Sequence, residues 1–175
     1  MFFSTRGIIN FMNECKSFLP NIDKRSKILI LGSMPGIKSL EMQQYYAHPQ
    51  NRFWKLMGLL CKTPNLADLE YNKRLKILLD NGFALWDVIK HCKRSGSLDS
   101  NIYDETPNNI SGLLKKYKNV QALILNGNKA YSALKKHIPA VFQEYKCLKM
   151  PSTSPANARY RLENLHQEWL NGIND

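Results

Sequence analysis

Side chains that could do chemistry gather in one segment, ILILGSMPGIKSLEMQQYYAHPQNRFW, which spans residues 28–54. An apolar run ends there in a Gly-Ser-Met-Pro-Gly turn, and Asn51 follows just before Phe53 and Trp54. The turn has neither the G-x-G-x-x-G spacing of a dinucleotide site nor that of a P-loop, which disfavours NAD and ATP. The carboxamide of Asn51 can hold a water molecule by donating and accepting hydrogen bonds, but Asn is also a favoured helix N-cap residue. The residue type leaves both roles open.

Aromatic residues surround this candidate site. Phe53, Trp54 and Met57 are spaced as one face of a helix, and such a stripe usually belongs to a core. Tyr46 and His48 lie before that helix, in a segment held by a proline, and their polar tips need partners or water. We therefore assign the helical stripe to packing and keep the preceding residues as candidate ligand contacts.

A second suggestive segment is PSTSPANA, residues 151–158. Its two prolines fix the backbone, while its hydroxyl and amide groups could contact phosphates as neutral donors. The alternative is that Ser154 and Pro155 simply form a turn into the last helix. The segment itself does not choose between these readings.

Two apolar runs, and two weaker ones at 82–88 and 145–150, alternate with helical patterns, and this alternation predicts a three-layer α/β/α domain with a small central parallel sheet. The predicted strands are Lys27–Leu31, Gly82–Val88, Val120–Leu125 and Tyr145–Met150. The predicted helices are Asn51–Cys61, Ala67–Asp80, Asn108–Tyr117, Asn128–His137 and Arg159–Leu170. The polar segment His91–Pro107 is predicted to be a long surface loop.

Ligands of open α/β sheets bind beyond the carboxyl ends of the strands. Four segments follow the predicted strands, namely residues 33–37, Asp87, residues 126–127 and residues 151–157. If the strands are correct, these segments converge on one crevice.

The charge balance favours a polyanionic partner. Twenty-five Lys and Arg residues against 14 Asp and Glu residues give a net charge of +11. Lys and Arg displace counterions from nucleic-acid phosphates, so such a balance suits DNA or RNA. A solubilising basic surface is the alternative, because the lysines are dispersed along the chain.

The 175 residues fit one domain, which we expect to span residues 1–175, including the N-terminal segment of residues 1–15. That segment lacks the charged start and the cleavage site of a signal peptide, and no apolar run reaches membrane-spanning length. The four cysteines are far apart in sequence, which disfavours zinc or iron–sulfur sites and indicates free thiols in a reducing cytoplasm.

Several ordered blocks resemble the uracil-DNA glycosylase superfamily. GSMPG followed by YYAHPQNRFWKLM is similar to its first active-site region, and the AHPQNRFWK portion resembles the mismatch-specific uracil/thymine branch. Together with GFALWDV, GSLDSNI, LNG and PSTSPAN, these blocks most resemble the hypoxanthine (deoxyinosine) DNA glycosylase branch. The resemblance runs from about Phe18 to the final helix.

The resemblance implies the same three-layer fold and a monomeric enzyme that acts on damaged DNA without metal or cofactor. Such enzymes flip the damaged nucleotide into a pocket and hydrolyse its N-glycosidic bond, leaving an abasic site. The expected substrate is deoxyinosine, and a uracil or G·T/G·U mismatch glycosylase is the alternative enzyme. Many members carry Asp or Asn where this chain has Met34, so a catalytically silent DNA-binding module is a third possibility.

The resemblance also assigns site residues by position. Catalysis falls to Asn51, which would position water, with Ser33 in the turn. The base pocket would be formed by Met34, Pro35, Gly36, Tyr46, His48, Phe53 and Asn126. Within that set, Tyr46 or Phe53 would stack on the base, and Asn126 would read its edge. DNA would be gripped by Ser152, Thr153, Ser154, Pro155, Ala156 and Asn157.

Overall fold

The computed structural model describes residues 13–175, so the N-terminal segment discussed above falls largely outside the described residues. Within that range the strands are β1 (Asn13–Lys16), β2 (Ile28–Gly32), β3 (Phe83–Asp87), β4 (Ile89–Arg94), β5 (Ile102–Pro107), β6 (Ala122–Asn126) and β7 (Lys146–Met150). The helices are α1 (Ile37–Met42), α2 (Phe53–Leu60), α3 (Tyr71–Asp80), α4 (Ile110–Lys116), α5 (Asn128–His137), α6 (Val141–Glu144) and α7 (Leu162–Asn174).

A parallel sheet with strand order β3-β2-β6-β7 forms the middle layer. Successive residues of β2 alternate between its two faces, and both faces are buried. Leu29 and Leu31 pack with the apolar side chains of α4 and α5, whereas Ile30 packs with those of α2, α3 and α7. Burial on both faces explains the continuous apolar runs. The predicted three-layer α/β/α class is confirmed.

The segment His91–Pro107, predicted to be a surface loop, is instead most of an antiparallel hairpin. Strand β4 pairs with β1 on one side and β5 on the other. The sequence hides these strands because their exposed positions carry polar or charged residues as well as Tyr103, and the β4–β5 register shifts twice. The prediction of a loop was therefore wrong, and the tip of the hairpin, residues 95–101, consists of bends followed by a short 3-10 turn, Asp99–Asn101.

The predicted helix Asn128–His137 is confirmed with the same ends, and the other four are present with shifted ends. The expected helix Ala67–Asp80 divides into a short 3-10 turn, Leu66–Asp68, and α3, whose first turn is capped by the Glu70 carboxylate accepting from the Lys73 amide. Helix α2 begins two residues later than expected, at Phe53. No helix among residues 13–175 is both long and apolar enough to cross a bilayer.

The strand order fixes where a ligand can bind. The chain leaves β2 toward β3 on one side, whereas it leaves β6 toward β7 on the other. Adjacent parallel strands whose connections diverge in this way open a crevice at their carboxyl ends. The turn after β2 and the segment after β6 therefore flank one opening.

Candidate active site

A cleft of about 1110 Å³ lies at this end of the sheet. Its walls come from the turn after β2, the segment before α2, the hairpin tip, the start of α5 and the segment after β7. All the residues predicted to form the site line this cleft except Phe53. They are Ser33, Met34, Pro35, Gly36, Tyr46, His48, Asn51, Asn126, Ser152, Thr153, Ser154, Pro155, Ala156 and Asn157. The sequence prediction of one convergent crevice is confirmed.

The turn after β2 offers backbone and a hydroxyl to the cleft, while its thioether faces the core. The Met34 side chain is 5% exposed and belongs to the same apolar cluster as Leu31 and Val88. The Ser33 hydroxyl donates to Asp99 Oδ1 at 2.6 Å, and the Ser97 hydroxyl accepts from the Ile37 amide at 2.9 Å. These two bonds tie the hairpin tip to the turn.

The aromatic wall consists of two stacked rings. Tyr46 and Phe53 have ring centroids 3.8 Å apart and an interplanar angle of 20°. Phe53 is fully buried beneath Tyr46, which is half-buried and lines the cleft. Of the two rings expected to stack on a base, Tyr46 is therefore the one presented to a ligand, and Phe53 supports it.

Asn126 holds the parts of the site together. Its Nδ2 donates to Tyr46 Oη at 3.2 Å and to Thr153 Oγ1 at 3.1 Å, and its Oδ1 accepts from the Thr153 amide at 3.0 Å. Both Nδ2 hydrogens thus have protein partners, so reading a base edge would require these bonds to break. The geometry gives Asn126 a supporting position behind Tyr46.

Asn51 combines the two roles that its residue type allows. Its Oδ1 accepts the first N–H of α2, that of Phe53, at 3.0 Å, although Asn51 stands one residue before the N-cap residue, Arg52. Its Nδ2 has no hydrogen-bond partner among the described residues, and the side chain is half-buried at the cleft wall. A donor and a remaining oxygen lone pair can therefore still bind a water molecule.

The exposed His48 ring lies nearby on the cleft wall. Its Nδ1 accepts from the Gln50 amide, so a neutral ring carries its hydrogen on Nε2.

Arg52 joins the two halves of the site. Its guanidinium donates to the backbone carbonyls of Thr153, Ser154, Asn157 and Tyr160, and its own amide donates to the Thr153 carbonyl. Partial burial lowers the pKa of this guanidinium, although Arg remains charged. One side chain thus fixes the segment after β7 against the segment that carries Asn51.

The segment after β7 is braced by its own polar groups. Ser152 Oγ accepts from the Ser154 amide, Ser154 Oγ accepts from the Ala156 amide, and Asn157 Nδ2 donates to the Ser152 carbonyl. Thr153 is fully buried, whereas Ala156 is exposed. The loop therefore presents a rigid edge, with Thr153 facing inward and Ala156 outward.

A buried carboxyl group lies at the inner end of the cleft. Asp87, the last residue of β3, is 3% exposed, and its Oδ2 has no hydrogen-bond partner among the described residues. Burial, together with the nearby Asp99 carboxylate, raises the pKa of Asp87 to about 8, although Arg94 opposes the shift. A neutral carboxylic acid is therefore the main form at pH 7.

The comparisons with known proteins place the chain in a family. The profile of the Uracil DNA glycosylase superfamily matches residues 19–173. The chain belongs to this superfamily. It is 40% identical over 156 residues to a hypoxanthine DNA glycosylase of Methanosarcina acetivorans, a match covering 88% of this chain and 94% of that protein. The resemblance drawn from the sequence blocks is confirmed.

Two further matches support the same family membership. A hypoxanthine DNA glycosylase of Methanosarcina barkeri is 42% identical over 115 residues, which are 66% of this chain and 72% of that protein. A solution NMR structure from Methanosarcina acetivorans, presented as a candidate uracil DNA glycosylase, matches with a TM-score of 0.76 at 39% identity. That match covers 90% of this chain and 94% of the other.

Some residues of this superfamily member's site were not found from the sequence. Arg52 stands inside the HPQNRFW block, but an arginine beside a helix start usually indicates a solvated charge. Asp99, the partner of Ser33, lies in a segment that was interpreted as a surface loop. The sequence signal for both residues was the family resemblance of the blocks that contain them, NRFW for Arg52 and GSLDSNI for Asp99. In residues 13–175 of this glycosylase-superfamily chain, no three His, Cys, Asp or Glu side chains gather as metal ligands would.

Proposed function

We propose that this protein is a hypoxanthine DNA glycosylase, which flips deoxyinosine out of DNA and hydrolyses its N-glycosidic bond. The observation that carries the proposal is the cleft itself, where the Tyr46 ring and the Asn51 carboxamide line one wall in a chain 40% identical to a protein of that name. The products are the free base and an abasic site.

The flipped base stacks on Tyr46, whose other face is already supported by Phe53. Stacking of a base on an aromatic ring is worth about 1–3 kcal/mol and tolerates different bases. Backbone amides of the turn formed by residues 33–36 can donate toward a purine carbonyl oxygen. Extrusion costs less for a deaminated, poorly paired base than for a paired one, which adds selectivity.

Asn51 positions the attacking water rather than deprotonating it, because a carboxamide is a poor base. The glycosidic bond therefore breaks ahead of water attack, and positive charge develops on the sugar. Groups fixed in the cleft then stabilise the departing base and the oxocarbenium-like sugar. His48, through the Nε2 hydrogen of its exposed ring, is the candidate donor to the leaving base.

The cleft rim carries the charges that would hold the DNA backbone. Lys38, Lys149 and Arg159 are exposed and line the opening, near the braced loop of residues 152–157. Phosphates on either side of the flipped nucleotide can reach these cations and the hydroxyl hydrogens of Ser152 and Ser154. The enzyme acts as a monomer in the cytoplasm. It also accepts single-stranded DNA, because no duplex has to be opened there to expose the base.

Binding to DNA should weaken steeply as salt rises, because each phosphate contact releases condensed counterions. Replacing Arg159 with Gln is expected to reduce the slope of log K against log salt concentration by about one. Fluorescence anisotropy with a lesion-containing duplex measures this slope. Lys76→Gln, an exposed change outside the cleft lining, should leave it unaltered. A flat salt response of the wild type would contradict phosphate binding by this rim.

Leu98, at the tip of the β4–β5 hairpin, is placed to act as a wedge. It is 53% exposed on the cleft rim, and apolar side chains at such positions can insert between base pairs. Leu98→Ala is expected to slow single-turnover cleavage of duplex DNA about tenfold, with little effect on a single strand. Leu19→Ala, which removes an 87% exposed leucine away from the cleft, is the matched control. Equal losses on both substrates would argue against a wedge.

A substrate panel tests the proposed function. Purified protein is incubated with duplexes carrying hypoxanthine, uracil, xanthine or a G·T mismatch, and abasic sites are then cleaved with alkali. We expect cleavage at hypoxanthine. Product only from uracil or G·T would replace the proposal with the mismatch-type activity that AHPQNRFWK suggests. No product from any lesion would favour a DNA-binding module.

A further inference from the structure

The turn of residues 33–36 rests on a buried positive charge. Arg94, the last residue of β4, is 1% exposed and lies behind the cleft wall rather than on it. Its Nη2 donates to the Pro35 carbonyl at 2.5 Å, whereas its Nε and Nη1 have no hydrogen-bond partner among the described residues. The guanidinium therefore makes a single hydrogen bond, and that bond goes to the turn.

A guanidinium buried in this way is costly to keep. Removing a cation from water is unfavourable unless hydrogen bonds and opposite charges replace the water. Asp87 and Asp99 interact electrostatically with Arg94, but neither accepts a hydrogen bond from it. Because Asp87 is mainly neutral at pH 7, it offsets little of the positive charge. The protein thus holds a charge that packing does not require, directly behind the wall of a ligand cleft.

The peptide between Pro35 and Gly36 connects this charge to the cleft. The peptide is trans and planar, so its N–H points in the direction opposite to its C=O. The carbonyl points at Arg94, whereas Gly36 lines the cleft, and the Gly36 N–H has no acceptor among residues 13–175. The N–H therefore points away from Arg94, toward the side on which a ligand binds. A charged donor on the carbonyl also polarises the peptide and makes its N–H a stronger donor.

We propose that Arg94 is a positioning residue that strengthens the Gly36 N–H as a donor to the departing base. As the N-glycosidic bond breaks, its electron pair moves to the base, and a lactam base carries much of that negative charge on a carbonyl oxygen. A donor that is fixed in advance stabilises this charge more in the transition state than in the substrate. The inference rests on the proposed glycosylase function and adds to it a residue outside the cleft lining that supports departure of the base.

Three replacements of Arg94 separate its charge, its hydrogen bond and its packing. Arg94→Lys keeps a positively charged donor, Arg94→Gln keeps a neutral donor, and Arg94→Met keeps only an unbranched chain. Base release from hypoxanthine DNA is measured under single turnover at saturating enzyme. We expect Arg94→Met to be about a hundredfold slower than the wild type, Arg94→Gln about thirtyfold slower and Arg94→Lys within about tenfold.

Binding measurements separate this role from simple support of the turn. Hypoxanthine DNA with a 2′-fluoro sugar resists cleavage, because fluorine disfavours positive charge on the sugar, and anisotropy then gives its Kd. Each variant should keep a Kd within about threefold of wild type, since the neutral base gains far less from the Gly36 donor than the departing anion does. Lys93→Met is the matched control, because it removes the neighbouring cation of β4, which pairs with Asp104 instead. It should change neither the rate nor the Kd.

Several results would overturn the proposal. They are an Arg94→Met rate equal to that of the wild type, a Kd that weakens as much as the rate falls, and a loss in Lys93→Met equal to that in Arg94→Met. If Arg94→Met does not fold, Arg94→Gln and Arg94→Lys still provide the comparison between a neutral and a charged donor. Equal rates for these two folded variants would show that the charge of Arg94 plays no part.

Failure of the proposed function would give a different result. A wild type that releases only uracil disproves hypoxanthine specificity, and the same variants are then measured on uracil DNA, because uracil also departs with charge on a carbonyl oxygen. A wild type that releases no base is titrated with free hypoxanthine and followed by NMR, which needs no turnover. The Gly36 amide resonance should then move as the base binds. A Gly36 resonance that does not move would overturn the assignment of Arg94.

Discussion

Replacing Asn51 with Ala is expected to lower the single-turnover rate of base release by about three orders of magnitude. The variant loses the only group assigned to hold the attacking water, and removing one such oriented group typically costs 10²–10³-fold. It should still bind damaged DNA, because the Tyr46 platform and the basic rim are untouched. Gel-based cleavage assays and anisotropy measure the two properties on the same duplex.

The cap formed by Asn51 has to be separated from its role with water. The Oδ1 bond to the Phe53 amide means that Asn51→Ala also removes a cap, which costs about 1 kcal/mol of folding free energy. Asn51→Ser keeps a capping oxygen but lacks the carboxamide. We expect it to unfold like the wild type yet cleave as poorly as Asn51→Ala. Near wild-type cleavage by either variant would reduce Asn51 to a helix cap.

Replacing Arg52 with Ala is expected to reduce cleavage about a hundredfold through a different route. The segment after β7 would lose the guanidinium that binds four of its carbonyls, and displacement of a site segment by about 1 Å can cost that much. The free energy of unfolding should fall by about 2–3 kcal/mol, since several partly buried carbonyls lose their donors. Denaturant titration and cleavage well below the melting temperature measure both effects.

A lysine at position 52 tests whether geometry, rather than charge, matters. Its single ammonium keeps the positive charge but cannot reach several carbonyls at once, so Arg52→Lys should stay close to Arg52→Ala in activity. Arg25→Ala, which removes an exposed arginine paired with Asp23 and Asp80, should change neither property appreciably. Wild-type activity in Arg52→Lys would show that the fixed loop is not required.

The parallel sheet could be predicted because burial on both faces leaves a direct trace in the sequence. Strands β2 and β6 are uninterrupted apolar runs, so their existence and the convergence of the segments after them follow from pattern alone. The β4–β5 hairpin left no such trace, since charged and polar residues occupy most of its positions and its pairing is irregular. Pattern reading therefore found the layers and missed the small antiparallel sheet.

At the site, too, contacts between residues close in sequence could be predicted, whereas contacts between distant residues could not. The bond from the Phe53 amide to Asn51 spans two residues, and helix rules offered a role of this kind for Asn51, although the N-cap residue is Arg52. The partners of Asn126 lie 27 and 80 residues away, and those of Arg52 lie more than 100 residues away. Contacts over such separations depend on the assembled fold, so residue types at these positions could suggest polarity but not partners.

The inward-facing side chain of Met34 limits which residues this position can accept. It packs with Leu31 and Val88 in the apolar interior. An Asp or Asn introduced here would place a polar group in that cluster, at a cost of about 1–3 kcal/mol. A polar side chain at this position therefore requires the neighbouring apolar residues to repack first.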